Sequence, residues 1–362
     1  MLTKTLVFAL LSVESAWACT GTISALTDVA AAVACTIVNV NSFTVPAGQS
    51  FTLNLLAGTT VNILGDITFG EKQWGGPLFS ITGSNVTFNG NGHTFNGNGQ
   101  FYWDGKGSSS GATTKPRVSY QGQTSGTFSN LVVLNSPAQV FSVDNAAPLT
   151  ISGVTIDDSL GDQANSLSAG KPAGANTDGF DVGNQAPLTV TGWCHRQNQD
   201  DCIAINSGTS ITFTGNHCSG GHGISIGSID TGDVVSNVTI SNNIVSSGAN
   251  GLRIKTIATA TNASVSDVTY SGNTVSGVTG FGLLIDQSYP STLGTPGSGV
   301  IISGINFVGT NAFTIPAGVT PVAVNCGSGS CQGTWNWAGL KVSGGSADEI
   351  NYAGITGFSE SD

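Results

Sequence analysis

The segment Ile203-Ala-Ile-Asn-Ser-Gly-Thr-Ser-Ile-Thr-Phe-Thr-Gly-Asn216 contains two short runs in which apolar residues alternate with small or hydroxyl residues. Alternation with a period of two is typical of a β-strand that has one buried face. The Gly and Asn residues that follow each run favour turns. The segment therefore predicts two strands joined by a corner.

Both runs recur along the chain. Counterparts of the run at Ile211 begin at residues 86, 149, 188, 238 and 268, and counterparts of the run at Ile203 begin at residues 180, 224, 252 and 283. From residue 180 onward the two series advance together at intervals of roughly 20–30 residues, which is typical of a solenoid. A turn with two or more strands and no helix predicts a parallel β-helix. A propeller blade needs about 40–50 residues, and a two-sheet sandwich does not explain the joint advance.

The ends and corners of this solenoid carry further signals. We expect stacked amides and left-handed backbone at the Asn residues that follow the turns, namely Asn216, Asn242, Asn243 and Asn273. Residues 27–34 predict a short capping helix with Thr27 as its N-cap, because a solenoid needs a cover over each open end. Trp335 and Trp337 are expected to close the other end. Residues 19–362 are predicted to form a single domain.

Charge is scarce in this chain. It has 10 Lys+Arg and 21 Asp+Glu among 362 residues, or 9% charged, against about 25% in ordinary soluble domains. Such a composition argues against a coiled coil or helix bundle, and the net charge of −11 excludes a nucleic-acid partner. A hydrophobic content of 39% argues against disorder. The remaining class is an ordered all-β protein whose neutral, hydroxyl-rich surface suits carbohydrate.

Residues 1–18 have the features of a secretory signal: a basic start, an apolar run and the sequence Ala16-Trp-Ala18. No later apolar run is long enough for a membrane span, so we expect a secreted, extracellular protein with no membrane contact. The sequons at Asn85, Asn237 and Asn262 predict glycosylation.

Secretion allows the seven cysteines to pair. Local pairing suggests Cys19–Cys35, Cys202–Cys218 and Cys326–Cys331, with Cys194 left over, although sequence alone leaves the connectivity open.

The candidate site follows from the strand register. Residues two positions before the later strands include Asp178, Asp201 and His222, which should form a column because stacked strands lie about 4.8 Å apart. Asp200 adjoins Asp201. The outward position of the same strands is occupied by residues 181, 204, 225, 253 and 284, which brings Arg253, and Lys255 beyond it, to the same face. Alone, each of these residues has an ordinary structural interpretation, but crowded carboxylates cost stability and favour an active site.

A carboxyl that carries a proton beside an ionised one is what glycoside hydrolysis requires. Crowding would keep one of three carboxyls protonated in mild acid, and the other two would polarise a water in the inverting geometry. Arg253 and Lys255 next to that centre indicate an anionic substrate, since Arg binds a carboxylate bidentately. A negatively charged polysaccharide fits best, and no metal or cofactor is expected.

The motifs Asn176-Thr-Asp-Gly179, Asn198-Gln-Asp-Asp-Cys202, Gly221-His-Gly223 and Arg253-Ile-Lys255 stand in the order and spacing of the family 28 glycoside hydrolases, the polygalacturonases. The chain resembles the fungal secreted members of that family over essentially its whole mature length. This resemblance implies a right-handed parallel β-helix whose cleft hydrolyses α-1,4-galacturonosyl bonds of polygalacturonate by inversion. Endo action by a monomer is expected.

The resemblance also implies roles for single residues. Asp200 matches the general acid, Asp178 and Asp201 match the pair that activates water, and His222 matches the histidine that tunes the acid. The substrate-binding matches are Arg253, Lys255 and Tyr289. Cys202–Cys218 matches a family disulfide that braces the catalytic turns.

Four other functions stay open from sequence. Two belong to the same family, an exo-polygalacturonase and a rhamnogalacturonan hydrolase. A pectate lyase would need a Ca²⁺ cluster or an Arg base, and a non-catalytic β-helix is supported only by composition.

Overall fold

The computed structural model describes residues 19–108, 110–116, 118–183, 186–192 and 197–359. The predicted signal segment and the stretch Trp193–Arg196, which contains Cys194, lie outside these residues. Among the described residues, no helix has the length and apolar character required to cross a membrane.

The elements are almost all short strands. In chain order they are β1 (Thr20–Ile23), β2 (Ile37–Val40), β3 (Phe43–Val45), β4 (Phe51–Asn54), β5 (Thr60–Ile63), β6 (Ile67–Phe69), β7 (Phe79–Asn89), β8 (Thr94–Asn96), β9 (Val118–Ser129), β10 (Val132–Leu134), β11 (Gln139–Val143), β12 (Leu149–Ser152), β13 (Thr155–Asp157), β14 (Phe180–Gly183), β15 (Leu188–Thr191), β16 (Asp201–Thr214), β17 (His217–Ser219), β18 (Gly223–Ile229), β19 (Val234–Ser241), β20 (Ile244–Ser246), β21 (Asn250–Ile257), β22 (Ala263–Ser271), β23 (Thr274–Ser276), β24 (Phe281–Tyr289), β25 (Val300–Val308), β26 (Asn311–Ile315), β27 (Thr320–Asn325), β28 (Cys331–Gln332), β29 (Trp335–Asn336), β30 (Leu340–Gly344), β31 (Glu349–Ile350) and β32 (Ile355–Thr356). Within the described part of the chain, helical structure is confined to α1 (Val29–Ala32) and to 3-10 turns at Leu26–Asp28, Gly99–Phe101 and Ser159–Asp162.

These strands form a parallel β-helix, as predicted. In the middle of the chain each turn has three strands: β18, β19 and β20 are followed by β21, β22 and β23, and each strand pairs in parallel with its counterpart one turn later. The predicted first series is in register, since Leu188 pairs with Ile211, Ile211 with Val238 and Val238 with Val268. The third strands β17, β20 and β23 have only three residues each, too few to show an alternating pattern in the sequence.

The core is a set of like residues stacked along the solenoid. Phe88 stacks on Phe128 with ring centroids 4.1 Å apart, Phe141 on Phe180 at 5.0 Å and Tyr270 on Phe307 at 4.7 Å. Each of these pairs joins register partners on adjacent strands. Because adjacent strands lie about 4.8 Å apart, the strand spacing itself sets the ring separation.

The predicted amide ladder is present at the corner before the third strand. Asn243 Oδ1 accepts hydrogen bonds from the backbone N–H and the side-chain amide of Asn216, and Asn273 does the same for Asn243. Asn311, which the sequence analysis did not include, extends the ladder by one turn. These amides are buried, whereas Asn242 is exposed with a left-handed φ of 54°.

Both ends of the solenoid are covered. The N-terminal cap is smaller than predicted: α1 covers residues 29–32 and not 27–34, and Thr27 is not its N-cap. The reason is Asp28, whose Oδ2 accepts hydrogen bonds from the backbone N–H groups of Ser24 and Ala25 and holds a 3-10 turn before the helix. Trp335 and Trp337 are fully buried and stacked at the C-terminal end.

The structure contains the three disulfides that local pairing suggests, namely Cys19–Cys35, Cys202–Cys218 and Cys326–Cys331. The sequon residues Asn85, Asn237 and Asn262 are all exposed. Glycosylation at these positions stays a prediction.

Candidate active site

The candidate site lies on the sheet formed by β11, β14, the start of β16, β18, β21 and β24. The outward positions are aligned as predicted, since Asp181 pairs with Ala204, Ala204 with Ser225, Ser225 with Arg253 and Arg253 with Leu284. Small side chains at positions 204 and 225 leave space between Asp181 and Arg253. The strand register therefore brings acidic and basic residues from turns far apart in sequence into one cleft.

The position of His222 differs from the predicted column. Asp201 lies opposite Gly223, while Ile203 lies opposite Ile224, so Cys202 is an extra residue on β16 and forms a β-bulge. The backbone N–H of His222 consequently bonds to the carbonyl of Asp200, and Nδ1 of its ring lies 2.9 Å from Asp200 Oδ1. His222 is therefore the partner of Asp200 and not the neighbour of Asp201.

Asp200 is held from three sides. Besides His222 on Oδ1, the side-chain amide of Asn176 donates to Oδ2 at 2.9 Å, and the backbone N–H of Asp201 donates to Oδ1. Burial acts to raise the pKa of the Asp200 carboxyl, but the hydrogen bond and charge of His222, aided by Lys255, outweigh it and hold that pKa below its usual range. The hydrogen bond to Asp200 in turn raises the pKa of His222, against the opposing effect of burial.

Asp201 is buried and bonded to two cations. Its side chain is 1% exposed, and its Oδ1 accepts hydrogen bonds from Arg253 Nη2 at 2.8 Å and from Ser225 Oγ at 2.6 Å. Its Oδ2 accepts one from Lys255 Nζ at 2.8 Å. The two cations that were predicted to hold a substrate carboxylate thus also neutralise Asp201.

Asp178 has the opposite surroundings. It is buried, and its Oδ1 accepts no hydrogen bond among the described residues. Burial, reinforced by the negative charges of Asp200, Asp181 and Asp201, raises the pKa of Asp178 well above its usual range. Burial also raises the pKa of Asp181 to about 7, with Asp201 adding to the effect. Burial and the neighbouring carboxylates therefore favour the protonated forms of Asp178 and Asp181, whereas the pKa of Asp200, the residue expected to supply the proton, is lowered.

The cleft above these residues has an empty volume of about 820 Å³. Tyr289 forms part of its wall, and its ring lies with its centroid 5.3 Å from Lys255 Nζ, a cation–π contact. Arg253 and Lys255 also line the cleft, and a guanidinium has five N–H donors, of which two are used within the described residues. Donors are therefore left over for a ligand.

A second cleft adjoins the first and shares His222 with it. Its empty volume is about 1020 Å³, and its walls include Gln199, Gly248 and Thr279. Glycines at 105, 174, 220, 221 and 277 also line this cleft. The two clefts meet at His222, and together they are called the groove below.

All seven site residues expected from sequence lie in this groove. Sequence reasoning missed the roles of Asn176, Ser225 and Asp181, although Asn176 stood in a quoted motif and the other two in the outward series. The contacts that make them members of the site cross between turns, and no spacing rule reports them.

One ligand atom from each of Asp200, Asp201 and His222 lies within 4.8 Å of the others, so these are the residues that could hold a cation. The oxygens of both carboxylates already accept hydrogen bonds from His222, Asn176, Arg253 or Lys255, which makes them poor metal ligands. The arrangement can instead bind an anion next to a His–Asp pair and transfer a proton to it.

Comparison with known proteins agrees with this geometry. The model of the family described as "Glycosyl hydrolases family 28" matches residues 35–358. An endo-polygalacturonase of Sclerotinia sclerotiorum is 44% identical over 319 residues, covering 86% of this chain and 80% of that protein. Endopolygalacturonase 1 of Colletotrichum lindemuthianum is 42% identical over 88% of this chain and 87% of its own length. The solved structure of endopolygalacturonase I from Stereum purpureum, complexed with two galacturonates, is 45% identical with a TM-score of 0.85, and the match covers 92% of this chain and 98% of that one.

Proposed function

The chain belongs to glycosyl hydrolase family 28, and from that premise we propose that it is an endopolygalacturonase, a hydrolase of α-1,4-galacturonosyl bonds in polygalacturonate and pectin. The observation that carries the proposal is the placement of Arg253 and Lys255 beside the Asp200–His222 pair in one open cleft. A cation pair adjacent to a proton donor is what cleavage of a polymer of sugar acids requires.

We assign the proton donor to the Asp200–His222 pair. Their hydrogen bond at 2.9 Å lets one proton pass between imidazole and carboxyl, so Asp200 delivers it to the glycosidic oxygen while His222 replenishes it. A bound galacturonate would raise the pKa of Asp200, because its carboxylate adds negative charge and offsets the charge of Lys255. Substrate binding thereby favours the protonated form of Asp200, which a general acid requires.

Asp178 and Asp201 are proposed to polarise the attacking water from the opposite side of the sugar. In its ionised form Asp178 offers Oδ1 as an acceptor for this water, because that atom has no hydrogen-bond partner among the described residues. Asp201 carries its charge beside Arg253 and Lys255, which orient it. The water's oxygen bonds to the anomeric carbon from the face opposite the leaving oxygen, which gives inversion. The glycosidic C–O bond breaks as Asp200 protonates the leaving oxygen, and the water's proton passes to Asp201 or to ionised Asp178.

Cleavage inside a polymer needs a groove that is open beyond the reacting bond on both sides. The second cleft beyond His222 supplies this continuation and supports endo action. Arg253, Lys255 and Tyr289 are proposed to hold the galacturonate next to the scissile bond. We further propose that the protein is secreted by cleavage after Ala18 and acts as a monomer on pectin in the plant cell wall.

Incubation with polygalacturonate tests the function. New reducing ends without the ultraviolet absorbance of an unsaturated uronide are expected, and unsaturated product would instead indicate a lyase. Oligomers of mixed length early in the reaction indicate endo action, while monomer alone indicates exo action. Faster cleavage of rhamnogalacturonan, or no cleavage of either polymer, would refute the proposal.

A further inference from the structure

A loop outside the four motifs named above contacts Asn176, the residue whose side-chain amide bonds to Asp200. Its residues 104–108 and 110–115 follow the short 3-10 turn at Gly99–Phe101. Ser108 lies near its tip, and the backbone N–H of Ser108 donates to Asn176 Oδ1 at 3.2 Å. The other end of the same amide donates to Asp200 Oδ2. A chain of two hydrogen bonds therefore connects the loop to Asp200.

The base of this loop is fixed by a buried ion pair. Lys115 Nζ lies 2.8 Å from Asp104 Oδ1, and the two side chains are 1% and 2% exposed. Asp104 also accepts hydrogen bonds from backbone N–H groups inside the loop, those of residues 106, 112 and 113. Lys115, one of the ten Lys and Arg residues in the chain, therefore stabilises the conformation of this loop.

The loop approaches Asn176 too closely for any larger residue at its tip. A Cβ added to Gly107 would lie 1.8 Å from Asn176 Oδ1. The φ of Gly107 lies outside the left-handed region, so the backbone itself would accept alanine. Asn176 has a left-handed φ of 52°, which Asn and Gly tolerate. The loop therefore packs directly against the acceptor end of the Asn176 amide.

We propose that Asn176 is a positioning residue, whose amide is oriented by the loop 104–115 so that its NH₂ group holds Asp200 in the orientation needed for proton transfer. An amide has a donor end and an acceptor end, and Ser108 N–H occupies the acceptor. This leaves the donor end for Asp200 Oδ2, while Oδ1 is reserved for His222. The inference rests on the proposed function in so far as Asp200 is the acid.

The test uses three variants of the full chain: Gly107→Ala, Asn176→Gly and the double variant. Glycine at 176 removes the side chain without straining the left-handed backbone. Each single variant is expected to lower kcat on polygalacturonate about 10- to 100-fold, because misplacement of a catalytic group by about 1 Å costs that much. KM and Tm should stay close to wild type. The double variant should be no slower than Asn176→Gly alone, since the loop acts through that amide.

Matched controls are Gly75→Ala, where an added Cβ meets nothing within 4 Å, and Asn242→Gly, an exposed left-handed position. Unchanged kcat in Gly107→Ala would overturn the proposal, and so would additive losses in the double variant. A fall in Tm with an unchanged kcat would show that Asn176 has only a structural role.

A second measurement does not depend on turnover. The ring signals of His222 in a nuclear magnetic resonance titration, assigned by their loss in His222→Gln, should shift in both single variants because Asp200 reorients. If wild type released no reducing ends, the proposed function would fail, and these ring signals would then decide the inference alone. Wild-type signals in Gly107→Ala and Asn176→Gly would contradict it.

Discussion

Nδ1 of His222 lies 2.9 Å from Oδ1 of Asp200, and the two residues meet across one turn of the solenoid because a β-bulge at Cys202 displaces His222 from Asp201. This bond raises the pKa of His222 and, with the histidine's charge, holds the pKa of Asp200 below its usual range despite burial. The pair therefore retains a proton at pH values where an isolated carboxyl would have lost it.

The pH dependence of hydrolysis follows from this pair. We expect kcat/KM to fall as pH rises through the raised pKa of His222, that is, above about 6.5, because the transferable proton is then lost. A pH–rate profile of wild type measures this fall in kcat/KM at high pH. In His222→Gln, whose kcat should be low at every pH, the fall should be absent. A wild-type profile that stays flat up to pH 9 would contradict the assignment.

Asp200→Asn is expected to lower kcat by roughly 10²–10⁴-fold, since it removes the general acid. Asn keeps the shape of the side chain and an oxygen for His222 and Asp201, but its NH₂ group faces the donor amide of Asn176, so we expect a modest fall in Tm. Reducing-end assays and thermal unfolding measure the two effects. Near-normal turnover would refute the role of Asp200.

Lys255→Ala is expected to raise KM about tenfold or more, because a charge-assisted hydrogen bond contributes about 1.5–3 kcal/mol. Sequence alone predicts an effect mainly on KM. The structure adds a fall in kcat and in Tm, because Asp201 loses one of its two cations while it remains buried. Lys341→Ala, at an exposed position, is the matched control. An unchanged KM would show that the substrate carboxylate binds elsewhere.

Asp178→Asn is expected to stop hydrolysis and to raise Tm at neutral pH. The folded-state pKa of Asp178 is raised, so its contribution to stability is present below the unfolded pKa and is lost as pH rises through the folded value. Asn carries no charge and avoids this loss. Thermal unfolding at pH 4 and pH 7.5 should show a stabilisation confined to the higher pH, and an equal change at both would contradict it.

Asn243→Val tests the amide ladder. The substitution removes the acceptor for the backbone N–H and side-chain amide of Asn216 and the donor to the buried carbonyl of Phe213, so we expect a loss of about 2–5 kcal/mol in the free energy of unfolding. Denaturant unfolding measures it, and Asn242→Gly at the exposed neighbouring position should cost far less. Equal losses in the two variants would show that the ladder adds no stability.

The repeat itself was readable from the sequence. Alternation at Ile203 and Ile211, and its recurrence, predicted parallel strands in register, because a period of two and a period of 20–30 residues are both local properties of the chain. The three-residue strands such as β17 were not readable, since so short a segment has no pattern. The capping helix was overestimated because the carboxylate of Asp28 competes locally for backbone N–H groups.

The candidate site was only partly readable in the same way. The residues that face the cleft were predictable from the sequence, because strand register assigns side chains to faces: Asp178, Asp201, Arg253 and Lys255 all followed from it. Which of these side chains bond to one another depends on the tertiary structure. One extra residue at Cys202 assigned His222 to Asp200, two turns brought Arg253 and Lys255 onto Asp201, and the loop held by Lys115 reached Asn176. Hydrogen bonds depend on ångström-scale distances between segments far apart in sequence, and a repeat pattern specifies those segments only to the nearest residue.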